Sequence, residues 1–278
     1  MNITKTILNA AVMMCLALSI QACNDLEGDN SDFNFDGKAE KENPARLENS
    51  VRLATYNVHR CAPPNSNTAN YEATAKAIGL LDVDVVALQE LDKNTNSHPE
   101  DQLQQLANRT GLKPYFCKTI DSNGGEYGIG ILSKSEPVKT DSGDLPGVEK
   151  RKFFVVEFAD YIFIATHFCH QSDDNRKWSF DIINEYIAEN LADYKKPIFL
   201  AGDLNTSSLP SNALTDWEVI STSSQTFPSG YKRIDYIMAY KGNSPVYEVL
   251  RTFVPKFDEI DLYEVSDHLP VLVDLNKF

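Results

Sequence analysis

From residue 51 onward, two rhythms of apolar and polar residues take turns along the chain. Tyr71, Ala75, Ile78 and Leu81 recur at helical spacing, as do Leu103, Leu106 and Ala107 within 102–110. Ser172 to Leu191 is the longest predicted helix. Ser172 or Asp173 can cap it, and Asp173 and Asp174 suit its positive end. Its predicted apolar stripe is Trp178, Ile182, Ile183, Tyr186, Ile187 and Leu191. Strands are predicted at 51–58, 83–88, 115–120, 128–132, 153–158, 161–167, 197–201, 234–240, 246–253 and 269–275. The run 83–88 is apolar almost throughout, as expected of a strand covered on both faces. The pair around Asp160 reads as a hairpin. Helices separated by several adjacent strands predict one α/β (α+β) domain at 51–278, with mixed sheets in a sandwich instead of a purely parallel doubly wound sheet.

The first fifty residues follow neither rhythm. Lys5 gives a short positive start, and 7–20 is an apolar run too short to span a membrane comfortably, which takes about 20 residues. Residues 1–22 therefore read as a secretory signal peptide. Ile20-Gln21-Ala22 before Cys23 resembles a bacterial lipoprotein cleavage box, which implies a lipid on Cys23 and an anchor that does not cross the bilayer. Residues 23–50 read as an acidic tether. Behind the cysteine, eight acids against three bases and few apolar residues leave little surface to bury. The expected location is outside the cytoplasm, on the outer membrane, in the periplasm or at the cell surface. Cys61, Cys117 and Cys169 remain in the domain, and any pairing among them stays open.

Charge narrows the partners. The chain carries −14, and −15 without residues 1–22. Such a surface disfavours non-specific duplex binding, which rests on Lys and Arg neutralising phosphates. A local basic groove or a metal could override that average. Lys150-Arg151-Lys152 is the densest basic run, and it opens a strand.

Polar residues gather where strands are predicted to end: Asn57, Glu90, His167, Asp203 and Asn205, with Asp235, Asp267 and His268 further on. Strand ends in α/β domains aim their loops at one mouth. Carboxylates with amide oxygens suit a hard cation, Mg²⁺, Mn²⁺ or Ca²⁺. His59, His98 and His170 lack comparable settings and read as loop residues. The spacing of His167, Cys169 and His170 fits no closed zinc site.

Six segments occur in order: Thr-Tyr-Asn-Val-His at 55–59, Leu-Gln-Glu at 88–90, Thr-His-Phe at 166–168, Gly-Asp-Leu-Asn at 202–205, Arg-Ile-Asp-Tyr-Ile at 233–237 and Ser-Asp-His-Leu-Pro at 266–270. Together they resemble the endonuclease/exonuclease/phosphatase superfamily of metal-dependent phosphoesterases. Gly125–Lys134 and Thr226-Phe-Pro228 fit the same resemblance. It implies a four-layer sandwich, two central mixed sheets flanked by helices. It also implies Glu90, Asn57 and Asp267 at a metal, and His268 as general base oriented by Asp235, with Asp203 as the alternative base. Asp203 and Asn205 would position water or phosphate. His167 would stabilise phosphoryl oxygens or protonate the leaving group, and Arg151 and Tyr127 would touch the phosphate. One metal or two stays open. The expected activity is hydrolysis of a phosphoester by a monomeric enzyme. The alternatives are an anchored non-specific nuclease and a non-catalytic binding protein on the same fold.

Overall fold

A computed structural model describes residues 45–242 and 246–278; the leader, Cys23 and most of the expected tether lie outside the described residues. Twelve strands are described: β1 (Ser50–Asn57), β2 (Val85–Lys93), β3 (Lys113–Ser122), β4 (Gly125–Ser133), β5 (Lys139–Leu145), β6 (Arg151–Glu157), β7 (Ile162–His167), β8 (Ile198–Asp203), β9 (Trp217–Val219), β10 (Asp235–Tyr240), β11 (Val249–Phe253) and β12 (Val271–Asn276). The helices are α1 (Tyr71–Leu81), α2 (Gln102–Thr110), α3 (Asp173–Asn190) and α4 (Ser211–Asp216). None of the described helices is long and apolar enough to cross a membrane.

The strands form two six-stranded sheets, in the orders β11-β12-β1-β2-β4-β3 and β5-β6-β7-β8-β10-β9. Each is mixed, with one parallel pair inside it, β1 with β2 and β7 with β8. Side-chain alternation turns the sheets into layers. Leu53, Val85, Ala87, Phe163, Ala165, Phe199 and Val273 point into the core between the sheets. Their neighbours Ala54, Val86, Leu88 and Leu272 face outward onto Ile78 and Leu81 of α1 and Leu103 and Leu106 of α2. On the other side Ile162, Ile164, Leu200 and Met238 pack against Phe180, Ile183 and Ile187 of α3. The result is helix, sheet, sheet, helix: the expected four-layer sandwich. Strands buried on both faces explain the continuous apolar runs.

Three local expectations change. Trp178 is not part of the α3 stripe; it is 50% exposed, while Phe180 is buried. Two positions are about 200° of helical turn, so the two face opposite ways. Ser172 does cap the helix, accepting from the Asn175 N–H. The strand predicted from 246 pairs only from Val249, and Val246 is exposed. The folded body also begins before residue 51: Arg46 donates to Asp84 and to the Ser50 carbonyl. Cys61, Cys117 and Cys169 are separate buried thiols, Cys61 in the α1 layer and Cys117 between the sheets.

Candidate active site

Three adjacent strands of the second sheet set polar side chains in a row at one edge. The parallel strands β7 and β8 end in register, with His167 beside Asp203. The antiparallel β10 begins there, so Asp235 pairs with Asp203 on the other side. The first sheet brings its own ends to the same place. Asn57 closes β1, and His268 precedes β12, whose Val271 pairs with Thr55. Ser266 ties the two together, donating to the Asn57 carbonyl at 2.8 Å while accepting from the His268 N–H at 3.3 Å.

His268 Nδ1 lies 2.9 Å from Asp235 Oδ2, and the Phe227 ring packs on the imidazole with centroids 4.9 Å apart. Asp203 Oδ2 is the hub. It lies 3.7 Å from His268 Nε2 and 3.5 Å from His167 Nε2, and it accepts from Asn57 Nδ2 at 3.1 Å. Asp203 Oδ1 accepts the Asn205 N–H at 2.8 Å, with Asn205 at φ 53°. The Asn205 side chain instead donates to the Phe168 carbonyl at 3.0 Å, which makes it a brace for the loop.

Glu90 is not at a strand end. It sits inside β2 at a bulge, where pairing with β4 shifts between Leu88 and Leu91, and its φ is 61°. The extra residue turns its carboxylate out of the ladder and onto Asn57, whose Nδ2 donates to Glu90 Oε1 at 3.1 Å. Asn57 thus presents its NH₂ to two acids. Its oxygen, expected as a metal ligand, accepts the His59 N–H at 3.1 Å.

Electrostatics sorts the ionisable groups. Burial of Asp203, reinforced by Asp235, pushes its carboxyl up to about 7. Burial alone would lower His268, but the carboxylates of Asp235 and Asp203 outweigh it and push the imidazole up to about 10. Burial and the neighbouring Arg151 and His268 push His167 well below the ordinary histidine value. Arg151 Nη1 lies 3.4 Å from His167 Nδ1 and can only donate, so neutral His167 carries its proton on Nε2, toward Asp203.

These groups open onto a cleft of about 630 Å³ lined by Glu90, Tyr127, Arg151, His167, Asp203, Asn205, Asp267 and His268. Asp235 and Asn57 stand behind it through the bonds already given. Asp203, Asp235 and His268 lie close enough to share a metal ion, their ligand atoms within 4.8 Å of one another. Asp235 Oδ1 is buried with no partner, an acceptor with free lone pairs. Together with Glu90 and Asp267, the donors are mostly carboxylate oxygens, which fits a hard divalent cation.

Phe227, from the Thr226-Phe-Pro228 segment, lines the cleft, which also holds residues that the sequence did not reveal: Arg60, Glu149, His170, Arg176 and Lys232. His170, expected as an ordinary loop residue, lines the wall. The basic residues come from four separate segments, so no Lys/Arg cluster is visible along the chain. Arg60 lies in a run of left-handed backbone. His59, Arg60 and Cys61 have φ of 45°, 55° and 57° in succession, a conformation that costs non-glycine residues about 1–2 kcal/mol each. His98, by contrast, is buried against Asp92 at 2.6 Å, away from this cleft.

Comparison with known proteins agrees with this fold. The family model described as Endonuclease/Exonuclease/phosphatase family matches residues 54–268. No curated protein matches the chain. Among solved structures, an endonuclease/exonuclease/phosphatase from Beutenbergia cavernae is 22% identical with a TM-score of 0.67, covering 82% of this chain and 72% of its own. A mannosyl-6-phosphatase from Bacteroides thetaiotaomicron is 19% identical with a TM-score of 0.63, covering 81% and 99%. TDP2 from Caenorhabditis elegans is 15% identical with a TM-score of 0.58, covering 82% and 74%.

Proposed function

The chain belongs to the endonuclease/exonuclease/phosphatase family, and on that premise we propose that it is a divalent-metal-dependent phosphoesterase acting on small or lipid-borne phosphoesters outside the cytoplasm. One observation carries the reading. His167, Asp203 and His268, with Asp235 behind them, open onto a cleft that also presents Glu90, Asp267 and several cationic side chains.

Glu90 and Asp267, with Asn57 beside them, are the donors that would hold Mg²⁺, Mn²⁺ or Ca²⁺. Such an ion would polarise the phosphate and offset the charge gathering on it. The chain's own residues handle the proton. Asp203 Oδ2 and His268 Nε2 face each other at 3.7 Å, so the base role belongs to the pair. Asp203, pushed up to about 7, has the proton affinity suited to taking a proton from water near neutrality. Asp235 fixes the ring of His268 and keeps it charged. As water bonds to phosphorus and the ester P–O bond breaks, the water proton enters this pair and a proton returns to the leaving oxygen. Neutral His167 is a hydrogen-bond donor to a phosphoryl oxygen, the first of its two expected roles. Arg151 and Tyr127 line the same wall and would meet the phosphate.

The substrate preference follows from charge and size. A 630 Å³ cleft is the size of small-ligand sites. Its cations share the lining with Glu90, Glu149 and Asp267, and Arg60 and Arg151 lie 3.9 and 3.2 Å from Glu90 and Glu149, which is unlike an all-basic stripe for a duplex. A fold relative named as a mannosyl-6-phosphatase supports the same preference. The four basic residues at the mouth support the nuclease alternative. A panel of plasmid DNA, RNA, sphingomyelin, inositol phosphates, sugar phosphates and nucleotides, with Mg²⁺ and with EDTA, separates the two. Turnover of a small or lipid ester that EDTA stops is expected. Efficient plasmid nicking at moderate salt would overturn the preference, and silence across the panel would overturn the enzyme.

A further inference from the structure

Arg60 reaches the cleft from the left-handed turn His59–Cys61, and bonds from separate elements hold that turn. Gln102 Nε2 of α2 donates to the Arg60 carbonyl at 2.7 Å, and the Asn70 N–H donates to the Cys61 carbonyl at 2.6 Å. The guanidinium lies over the Tyr127 ring, 5.2 Å from its centroid. Glu90 Oε2 is 3.9 Å away and Asp92 Oδ2 3.8 Å, both beyond hydrogen-bonding distance. The side chain is 43% exposed, so a solute can reach donors that these acids leave open. Arg151 lines the same cleft, almost fully buried, with Nη1 3.2 Å from Glu149 and its Nε without a partner. Tyr127 and His167 both lie within the electrostatic reach of the two arginines.

We propose that Arg60 is a specificity-determining residue that, with Arg151, selects phosphomonoesters over phosphodiesters; this rests on the phosphoesterase reading and narrows its substrate class. A monoester carries about −1.5 to −2 at pH 7, and a diester carries one charge. The monoester also has three unesterified oxygens against the diester's two. An arginine fork binds phosphate oxygens in pairs. Two forks, together with the metal-side donors, therefore have enough oxygens only when the third is free. The diester leaves one guanidinium facing an ester oxygen and a substituent that must fit beside it.

The test compares para-nitrophenyl phosphate with bis-para-nitrophenyl phosphate on wild type, Arg60→Gln and Arg60→Lys, all with Mg²⁺. Wild type should favour the monoester. Arg60→Gln should lose at least ~10-fold more kcat/KM on the monoester than on the diester, one oxyanion contact being worth about that or more. Arg60→Lys, which keeps the charge without the fork, should fall between. Circular dichroism and melting confirm the fold, and Arg60→Lys serves if Arg60→Gln does not fold. A second readout needs no turnover: in EDTA, inorganic phosphate should raise the melting temperature of wild type more than dimethyl phosphate does, and Arg60→Gln should lose the difference. A parallel fall on both esters, or an unchanged ratio, overturns the proposal. If wild type hydrolyses neither ester, the phosphoesterase reading fails, and the melting comparison alone decides whether Arg60 selects the dianion.

Discussion

His268 keeps its proton because two buried carboxylates face it, and that arrangement has a consequence for stability. Its pKa in the folded chain, about 10, lies above the ordinary histidine value of roughly 6.5. A raised pKa means the folded state binds more protons than the unfolded chain between those values. The contribution is full below pH 6.5 and is lost as pH rises toward 10. Melting in EDTA should therefore fall between pH 7.5 and 9.5 in wild type and stay flatter in His268→Gln; equal slopes would contradict the charged His268. His167 and Asp203 were readable in the sequence because each ends an apolar run, whereas Asp235 opens a strand and His268 precedes one, and both were marked by the resemblance of their segments. Arg60, Arg176 and Lys232 were not readable. Each is an ordinary basic residue along its own segment, and only the tertiary fold brings them to one cleft.

A helix buries the face its neighbours require, and α3 tests which face that is. Ile183 is fully buried against the second sheet, whereas Trp178 is half exposed. Ile183→Ala should cost about 2–5 kcal/mol of stability, the usual penalty for a core cavity. Trp178→Ala should cost under about 0.5 kcal/mol, as surface changes do. Urea titration of both variants checks the assignment, and the reverse order would restore Trp178 to the core. Most elements were legible because they are buried on both faces or amphipathic. β5 was not: its residues Lys139–Leu145 are polar and mostly exposed, so no alternation marks this edge strand. The six residues of α4 and three of β9 are too short to show a period. Glu90 was found as a residue but misplaced as an element end, since a bulge leaves no mark in an apolar pattern.

At the scale of the whole chain, a net charge of −14 contrasts with a cleft that holds four basic side chains. On the proposed reading, the average field discourages polyanions while the cleft accepts a single phosphate group. The leader and Cys23 complete the proposed picture of an enzyme held at a membrane by lipid. Expressed in a bacterium with lipoprotein processing, Cys23→Ser should move the protein from the membrane to the soluble fraction with phosphoester turnover retained. An unchanged partition would remove the anchor from the account without touching the fold. The central claim concerns the cleft, and one assay meets it most directly: hydrolysis of bis-para-nitrophenyl phosphate and para-nitrophenyl phosphate by wild type, Glu90→Ala and His268→Ala, with Mg²⁺ and with EDTA. The account predicts EDTA-sensitive turnover in wild type and a loss of about 10²- to 10⁴-fold in each folded variant. Near-normal, metal-dependent turnover in both variants would contradict it.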